Sequence, residues 1–150
     1  MSDEIDVFWQ GPLRVSRAAL QSALATLGFE TKILSEFKEA ELFWPVEFGA
    51  LRTGFEVYAS AFGEDLEAIS REIPELKGRD HQATFRFLGD AEGGAAFAIA
   101  AALAKLQDAL VRDRHAGINI WVSTDEAVAK AQRMFRRAAV GYTPRANDLV

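Results

Sequence analysis

The chain contains no cysteine, which excludes disulfides, iron–sulfur clusters and thiolate zinc sites. Histidine is scarce: His81 and His115 are the two in 150 residues, and neither has the HExxH spacing of a paired-histidine metal site. No serine stands in GxSxG, and no EF-hand loop is present. The apolar run Ala95 to Ala104 is too short to span a bilayer and is followed by charges. Basic charge is in deficit, with 17 Lys and Arg against 22 Asp and Glu, net −5. That balance disfavours nucleic acid, because phosphate neutralisation supplies most of its affinity.

What is present describes an ordinary globular chain, 49% hydrophobic and 26% charged. Its 150 residues fit one domain that can bury a core without staples. Charge is unevenly placed: between Glu30 and Glu75 there are 11 acidic side chains and 4 basic ones. A basic protein partner is the electrostatic complement of that region, and a solvated acidic surface is the plainer reading. The opening Met-Ser-Asp-Glu-Ile-Asp lacks the basic and apolar regions of a signal peptide, so the cytoplasm is the expected location. No cofactor is expected, and neither is membrane association.

The stretch His81 to Ser123 organises the rest. Ala83, Phe85 and Phe87 alternate with Thr84, Arg86 and Leu88, which predicts a strand that ends at Gly89-Asp90. Seven of the ten residues from Ala95 to Ala104 are alanine, and Ile99, Leu103, Leu106 and Leu110 form one helical stripe. Arg112-Asp113-Arg114-His115 reads as a polar turn and Ile118 to Val122 as a second strand. The whole predicts a parallel β-α-β unit at the centre of a sheet. The glycines Gly89, Gly93 and Gly94 fit neither GxGxxG nor GxxxxGK[ST], and Asp90 and Glu92 put negative charge where a phosphate would sit. Asp90 as N-cap and Glu92 in the first turn account for both carboxylates.

Taken in order, Ile5, Val7 and Trp9 predict a first strand. Ser16 marks the start of a helix through Leu20, Leu24 and Leu27, and Gly28 marks its end. Phe29 to Leu34 predicts a strand and Ser35 to Glu41 a charged turn. Leu42 to Phe48 predicts a further strand, at an edge or bulged at Pro45, which cannot donate to a ladder. Gly49 to Gly54 predicts the hairpin connection to Phe55 to Ala59, in which Glu47 and Glu56 would face each other. Glu64 to Ile73 predicts a short helix closed by Pro74, with an acidic exposed face. Ser123 and Glu126 form a capping box for a last helix. That helix carries Val128, Ala131 and Phe135 inward and Lys130, Arg133, Arg136 and Arg137 outward, the best candidate for an anion site. The tail from Gly141 has no periodicity and is expected to be loosely held.

The fold class is therefore α+β or α/β. A single-layer mixed sheet, an N-terminal antiparallel meander plus a C-terminal β-α-β unit, packs with about four helices.

Arg86-Phe87-Leu88-Gly89-Asp90, with Glu92 and the run Ala100-Ala101-Ala102-Leu103-Ala104, resembles a strand-GGD-helix pattern of small bacterial α/β proteins. Some of those are immunity proteins of polymorphic toxin systems. The similarity covers about a fifth of the chain, and departs from the pattern at Leu110-Val111-Arg112-Asp113. It implies a small non-catalytic cytoplasmic protein, without cofactor, that binds a basic toxin domain and blocks it. The surfaces expected to bind are the acidic residues Glu41, Glu47, Glu56, Glu64, Asp65, Glu67 and Glu72, with Trp44 on the aromatic edge. An alternative is a small-molecule-binding or enzymatic domain with a pocket at the C-terminal ends of parallel strands, near Gly89, Asp90 and Ser123. A third reading is a structural homodimer joined through the Leu42 to Phe48 edge.

Overall fold

A computed structural model describes residues 3–37, 42–61, 71–115 and 117–141. Its elements are β1 (Asp3–Trp9), α1 (Arg17–Thr26), β2 (Thr31–Ile33), β3 (Leu42–Phe48) and β4 (Leu51–Ala61), a 3-10 turn (Pro74–Leu76), then β5 (His81–Phe87), α2 (Gly89–Gln107), β6 (Leu110–Arg114), β7 (Ile120–Val122) and α3 (Thr124–Gly141). The seven strands form one sheet in the order β2-β3-β4-β5-β1-β6-β7. Every neighbouring pair is antiparallel.

The antiparallel meander β2-β3-β4 forms as expected, and the parallel β-α-β unit does not. β5 and β6 both run antiparallel to β1, which lies between them. They therefore share a direction without pairing, and the crossover through α2 spans β1. The strand after α2 is also not the one expected. Val111 and Asp113 point to one face of β6 and are buried, while Arg112 and Arg114 point to the other. A charged run became a strand because each charge meets a partner on another element.

β1 occupies the centre because both its faces can be covered. Ile5, Val7 and Trp9 join the main core beneath the helices. Phe8, on the opposite face, joins a smaller cluster with Leu76, Ile73, Leu110 and Trp121. α2 is buried all round from Gly93 to Leu103, which its alanines permit by letting neighbouring backbones approach. Of the predicted stripe, Ile99 and Leu103 are core, Leu106 is 38% exposed, and Leu110 belongs to β6. The helix stops at Asp108, a left-handed residue with φ 51°.

Local signals largely hold. Ser16 Oγ accepts the Ala19 N–H at 3.1 Å, and Gly28 takes the positive φ of 94° expected past the end of α1. Ser123 and Glu126 form both bonds of the capping box, each 3.1 Å. Asp90, by contrast, is not the N-cap of α2. Leu88 holds that position, its N–H donating to the Glu92 carboxylate at 2.9 Å, and Asp90 pairs with Arg137 at 3.2 Å.

The sheet's edge strands are β2 and β7, so β3 is interior where Val46–Phe48 pairs with β2. Pro45 stands where that pairing ends, which is how the sheet accommodates it. The homodimer reading loses the edge it relied on over that stretch. The β3–β4 turn is shorter than expected, with Leu51 already in strand opposite Phe48. The register then sets Glu47 opposite Arg52 and Glu56 opposite Phe43, so Glu47 and Glu56 do not face each other. Three helices lie wholly among the described residues, where about four were expected. Of the expected helix over 64–73, Arg71 and Glu72 are described and are helical, and the tail beyond Gly141 lies outside the described residues.

Candidate functional site

One face of the sheet carries the helices. The other carries polar side chains in cross-strand rows, set by the antiparallel register. One row reads Phe43, Glu56, Arg86, Glu4, Arg114 across β3, β4, β5, β1 and β6; the next reads Tyr58, Thr84, Asp6, Arg112, Trp121 from β4 to β7. Charges alternate along the first row. Glu4 is gripped by Arg86 at 3.2 Å and Arg114 at 2.6 Å.

Asp6 lies at the centre of the face with no exposed surface. It accepts hydrogen bonds from Thr84 Oγ1 at 2.8 Å, Arg112 Nη2 at 2.8 Å and Arg114 Nη2 at 2.8 Å. Burial pushes its carboxyl up, and the hydrogen bonds from Arg114, Arg112 and Thr84, together with the Arg114 charge, outweigh burial and hold it below its ordinary value. Arg114 is raised in turn, chiefly by its hydrogen bond to Asp6. Arg112 also lies over Phe8 and Trp121, its guanidinium carbon 5.4 and 5.8 Å from the two ring centroids. The arginines are therefore fixed by carboxylates and rings of the sheet itself.

Two clefts flank this ladder. The first, about 390 Å³, is lined by Phe43, Glu56, Arg86, Phe87, Leu88 and Glu92. Gly54 lets the Phe43 ring lie across β4, since a Cβ there would be 2.6 Å from that ring and 2.5 Å from the Trp44 carbonyl oxygen. The second, about 380 Å³, is lined by Glu72, Ile73, Pro74, Glu75, Arg112, Asn119, Ile120 and Trp121. Four large apolar side chains are exposed among the described residues, and three of them fall on these clefts: Phe43 at 53%, Leu88 at 60% and Ile120 at 47%. The two clefts hold four carboxylates, Glu56, Glu92, Glu72 and Glu75, against two arginines. Both arginines are already paired, Arg86 with Glu4 and Arg112 with Asp6. Apolar contact area bordered by uncompensated negative charge is what a protein partner with a basic surface would meet.

On the helix side, Asp113 is buried, with His115 Nδ1 at 2.5 Å from one oxygen and Lys130 Nζ at 3.1 Å from the other. The Lys130 contact is an ion pair without regular hydrogen-bond alignment, because Asp113 Oδ2 has no hydrogen-bond partner. Phe97 packs edge-on against the imidazole, centroids 5.5 Å apart. His81, expected just before a strand, opens β5 and stacks on Trp9 at 5.6 Å, with Asp80 2.7 Å from its Nδ1. A separate apolar cleft of about 480 Å³ lies among Gly28, Phe29, Phe48, Leu51, Phe135 and Ala138.

The expected binding residues are distributed as follows. Glu56 lines the first cleft and accepts the Tyr58 hydroxyl at 2.7 Å; Glu72 lines the second. Glu47 is on the same sheet face, tied to Arg52 at 3.3 Å. Trp44 is 1% exposed, its ring edge-on to Phe37 and Phe55, so it is core and offers a partner no surface. Phe43, one residue earlier, takes the exposed place. Glu41, Glu64, Asp65 and Glu67 lie outside the described residues. The alternative pocket assumed parallel strand ends, which the antiparallel sheet does not supply; Gly89 and Asp90 open α2 instead. Gly93 and Gly94 are packing positions: a Cβ would lie 2.3 Å from Met134 Cε at the first and 2.6 Å from the Phe135 ring at the second.

Sequence reasoning missed Phe43, Leu88, Trp121 and the Asp6 cluster. Alternation alone would have placed Phe43 opposite in face to Trp44. Nothing local could have paired Asp6 with Arg112, 106 positions away. Comparison with protein-family models, curated proteins and solved structures returned no match.

Proposed function

We propose that this chain is a non-catalytic protein-binding domain, most specifically an immunity protein that neutralises a basic toxin domain by docking it on the sheet face opposite α1, α2 and α3. The observation that carries the reading is the convergence of Phe43 and Leu88 with Glu56 and Glu92, neither of them in an ion pair among the described residues, in one cleft. Exposed apolar anchors surrounded by charge are the usual anatomy of a binding hot spot. The segment whose resemblance suggested immunity proteins contributes Arg86, Phe87, Leu88 and Glu92 to the same cleft. The Arg86–Glu4–Arg114 ladder holds a rigid floor between the two clefts, so little side-chain freedom is lost on docking.

The test is co-purification from the native cell, or co-expression with neighbouring gene products, read by native mass spectrometry at low and moderate salt. A stoichiometric complex with a basic protein that weakens with salt and is lost in Phe43→Ser/Glu56→Lys supports the reading. A complex that survives the double substitution moves the site elsewhere. Free protein at both salt concentrations removes the reading.

The apolar cleft of about 480 Å³ favours a second reading, binding of an apolar small molecule, since it falls within the size range of such sites. Saturable binding of an apolar fluorescent probe, abolished by Ala138→Trp in a folded protein, would favour it over the first.

A further inference from the structure

We propose that the small cleft between the β6–β7 loop and α3 binds a tetrahedral oxyanion of phosphate type. The cleft is lined by His115, Ile118, Lys130, Arg133, Met134 and Arg137, and no carboxylate lines it. Its volume is about 80 Å³. That is well below the roughly 300–1,000 Å³ of pockets that hold drug-sized ligands, so the space is too small for a nucleotide and is left to a small ion or group.

The cations converge for a definable reason. Lys130, Arg133 and Arg137 follow one another on α3 at spacings of three and four, which places them on one helix face. Like charges so spaced repel. Two of the three are partly neutralised from outside the cleft: Lys130 by Asp113 at 3.1 Å and Arg137 by Asp90 at 3.2 Å. Arg133 has no ion pair among the described residues. The cleft lining therefore keeps one cation without an ion pair among the described residues, and an anion in the cleft is what would offset it.

The donor set also favours a tetrahedral ligand. Asp113 holds His115 through Nδ1 at 2.5 Å, which orients the ring and leaves Nε2 for a ligand. In the neutral ring with Nδ1 protonated, Nε2 accepts the proton of a hydrogen phosphate; in the imidazolium it donates to a phosphate oxygen. The guanidinium forks of Arg133 and Arg137 come from α3, and the imidazole comes from the opposing loop. Donors on two sides of a cavity match oxygens arranged in three dimensions better than a planar carboxylate. The cleft lies on the helix side of the sheet, so the inference stands apart from the partner surface.

The full chain would be titrated with inorganic phosphate and, separately, with O-phosphoserine, followed by calorimetry and by the imidazole NMR signals of both histidines. One saturable site is expected, moving the His115 signals and not those of His81. Arg133→Ala and Arg137→Ala should each weaken binding roughly tenfold, with unchanged circular dichroism. Arg136→Ala, on the same helix but outside the cleft, should leave it as it is. Tighter binding of O-phosphoserine would identify a phosphorylated ligand, and tighter binding of inorganic phosphate the free ion. No saturable binding of either, reproduction of the effect by chloride at equal ionic strength, or an equal loss in Arg136→Ala would overturn the proposal.

Discussion

Arg114 reaches both oxygens of the buried Asp6 carboxylate: Nη2 donates a hydrogen bond to one at 2.8 Å, and Nε lies 2.6 Å from the other as an ion-pair contact without hydrogen-bond alignment. Arg112 adds a second guanidinium to the same carboxylate. Asp6→Ala would leave Arg112 without its counter-charge and Arg114 with Glu4 alone. Removing one partner of a buried pair costs about 3–5 kcal/mol. The lower end is expected here, because both arginines keep some access to water and can be solvated in place. Urea unfolding should show a loss of about 3 kcal/mol, and a loss under 1 kcal/mol would mean that the ladder is dispensable for stability.

The same carboxylate predicts a pH dependence. Asp6 is held below its ordinary value in the folded chain, so its contribution is present above about pH 4 and lost as pH falls through the folded value. Asp80 shifts in the same direction, through its hydrogen bond to His81 and the N–H of Gly11. The stability difference between the wild type and Asp6→Asn should be constant from pH 7 to pH 5 and narrow below about pH 4. Unfolding curves at pH 7, 5, 4 and 3 measure it, and a difference that widens in acid would reverse the assignment.

Phe43 and Trp44 are adjacent and do opposite things. Trp44 sits in the core between Phe37 and Phe55, so Trp44→Ala should cost about 3–5 kcal/mol of stability. Phe43→Ala should leave stability within about 1 kcal/mol and weaken the proposed partner by about 2 kcal/mol or more, the range of a hot spot. Thermal melts of the two variants beside binding curves separate the roles. Equal destabilisation by both would make Phe43 structural.

Gly94 sets two effects against each other. Alanine is favoured over glycine in a helix by about 1 kcal/mol, but a Cβ here would lie 2.6 Å from the Phe135 ring. Overpacking typically costs about 1–3 kcal/mol, so Gly94→Ala should destabilise on balance. Combining it with Phe135→Leu should recover part of the loss, and an increase in melting temperature for the single variant would show that α3 yields without cost.

Elements whose signal lies within a few residues of chain are legible in the sequence. Ser16, Gly28 and the Ser123–Glu126 box mark helix ends because capping is a bond between near neighbours. The strands through Val7, Trp44 and Phe85 follow from alternation, and the antiparallel meander from short connections. The candidate surface is legible only in part. The abundance of acid between Glu30 and Glu75 suggests a basic partner and picks out Glu56 and Glu72, but not the apolar side chains beside them.

Sheet order and the meaning of the charged run at Arg112 to His115 were decided by tertiary structure alone. A run with charges on both faces looks like a turn unless a buried Asp6 waits on one side and Lys130 on the other, and both partners are remote in sequence. Once β1 enters between β5 and β6, pairing becomes antiparallel throughout and Asp6 lands opposite Arg112. Local sequence determined most of the helices and strands, β6 excepted. Which strand lies beside which, and therefore which charges are neutralised and which stay outside an ion pair, depended on contacts whose energy exists only when the chain is folded.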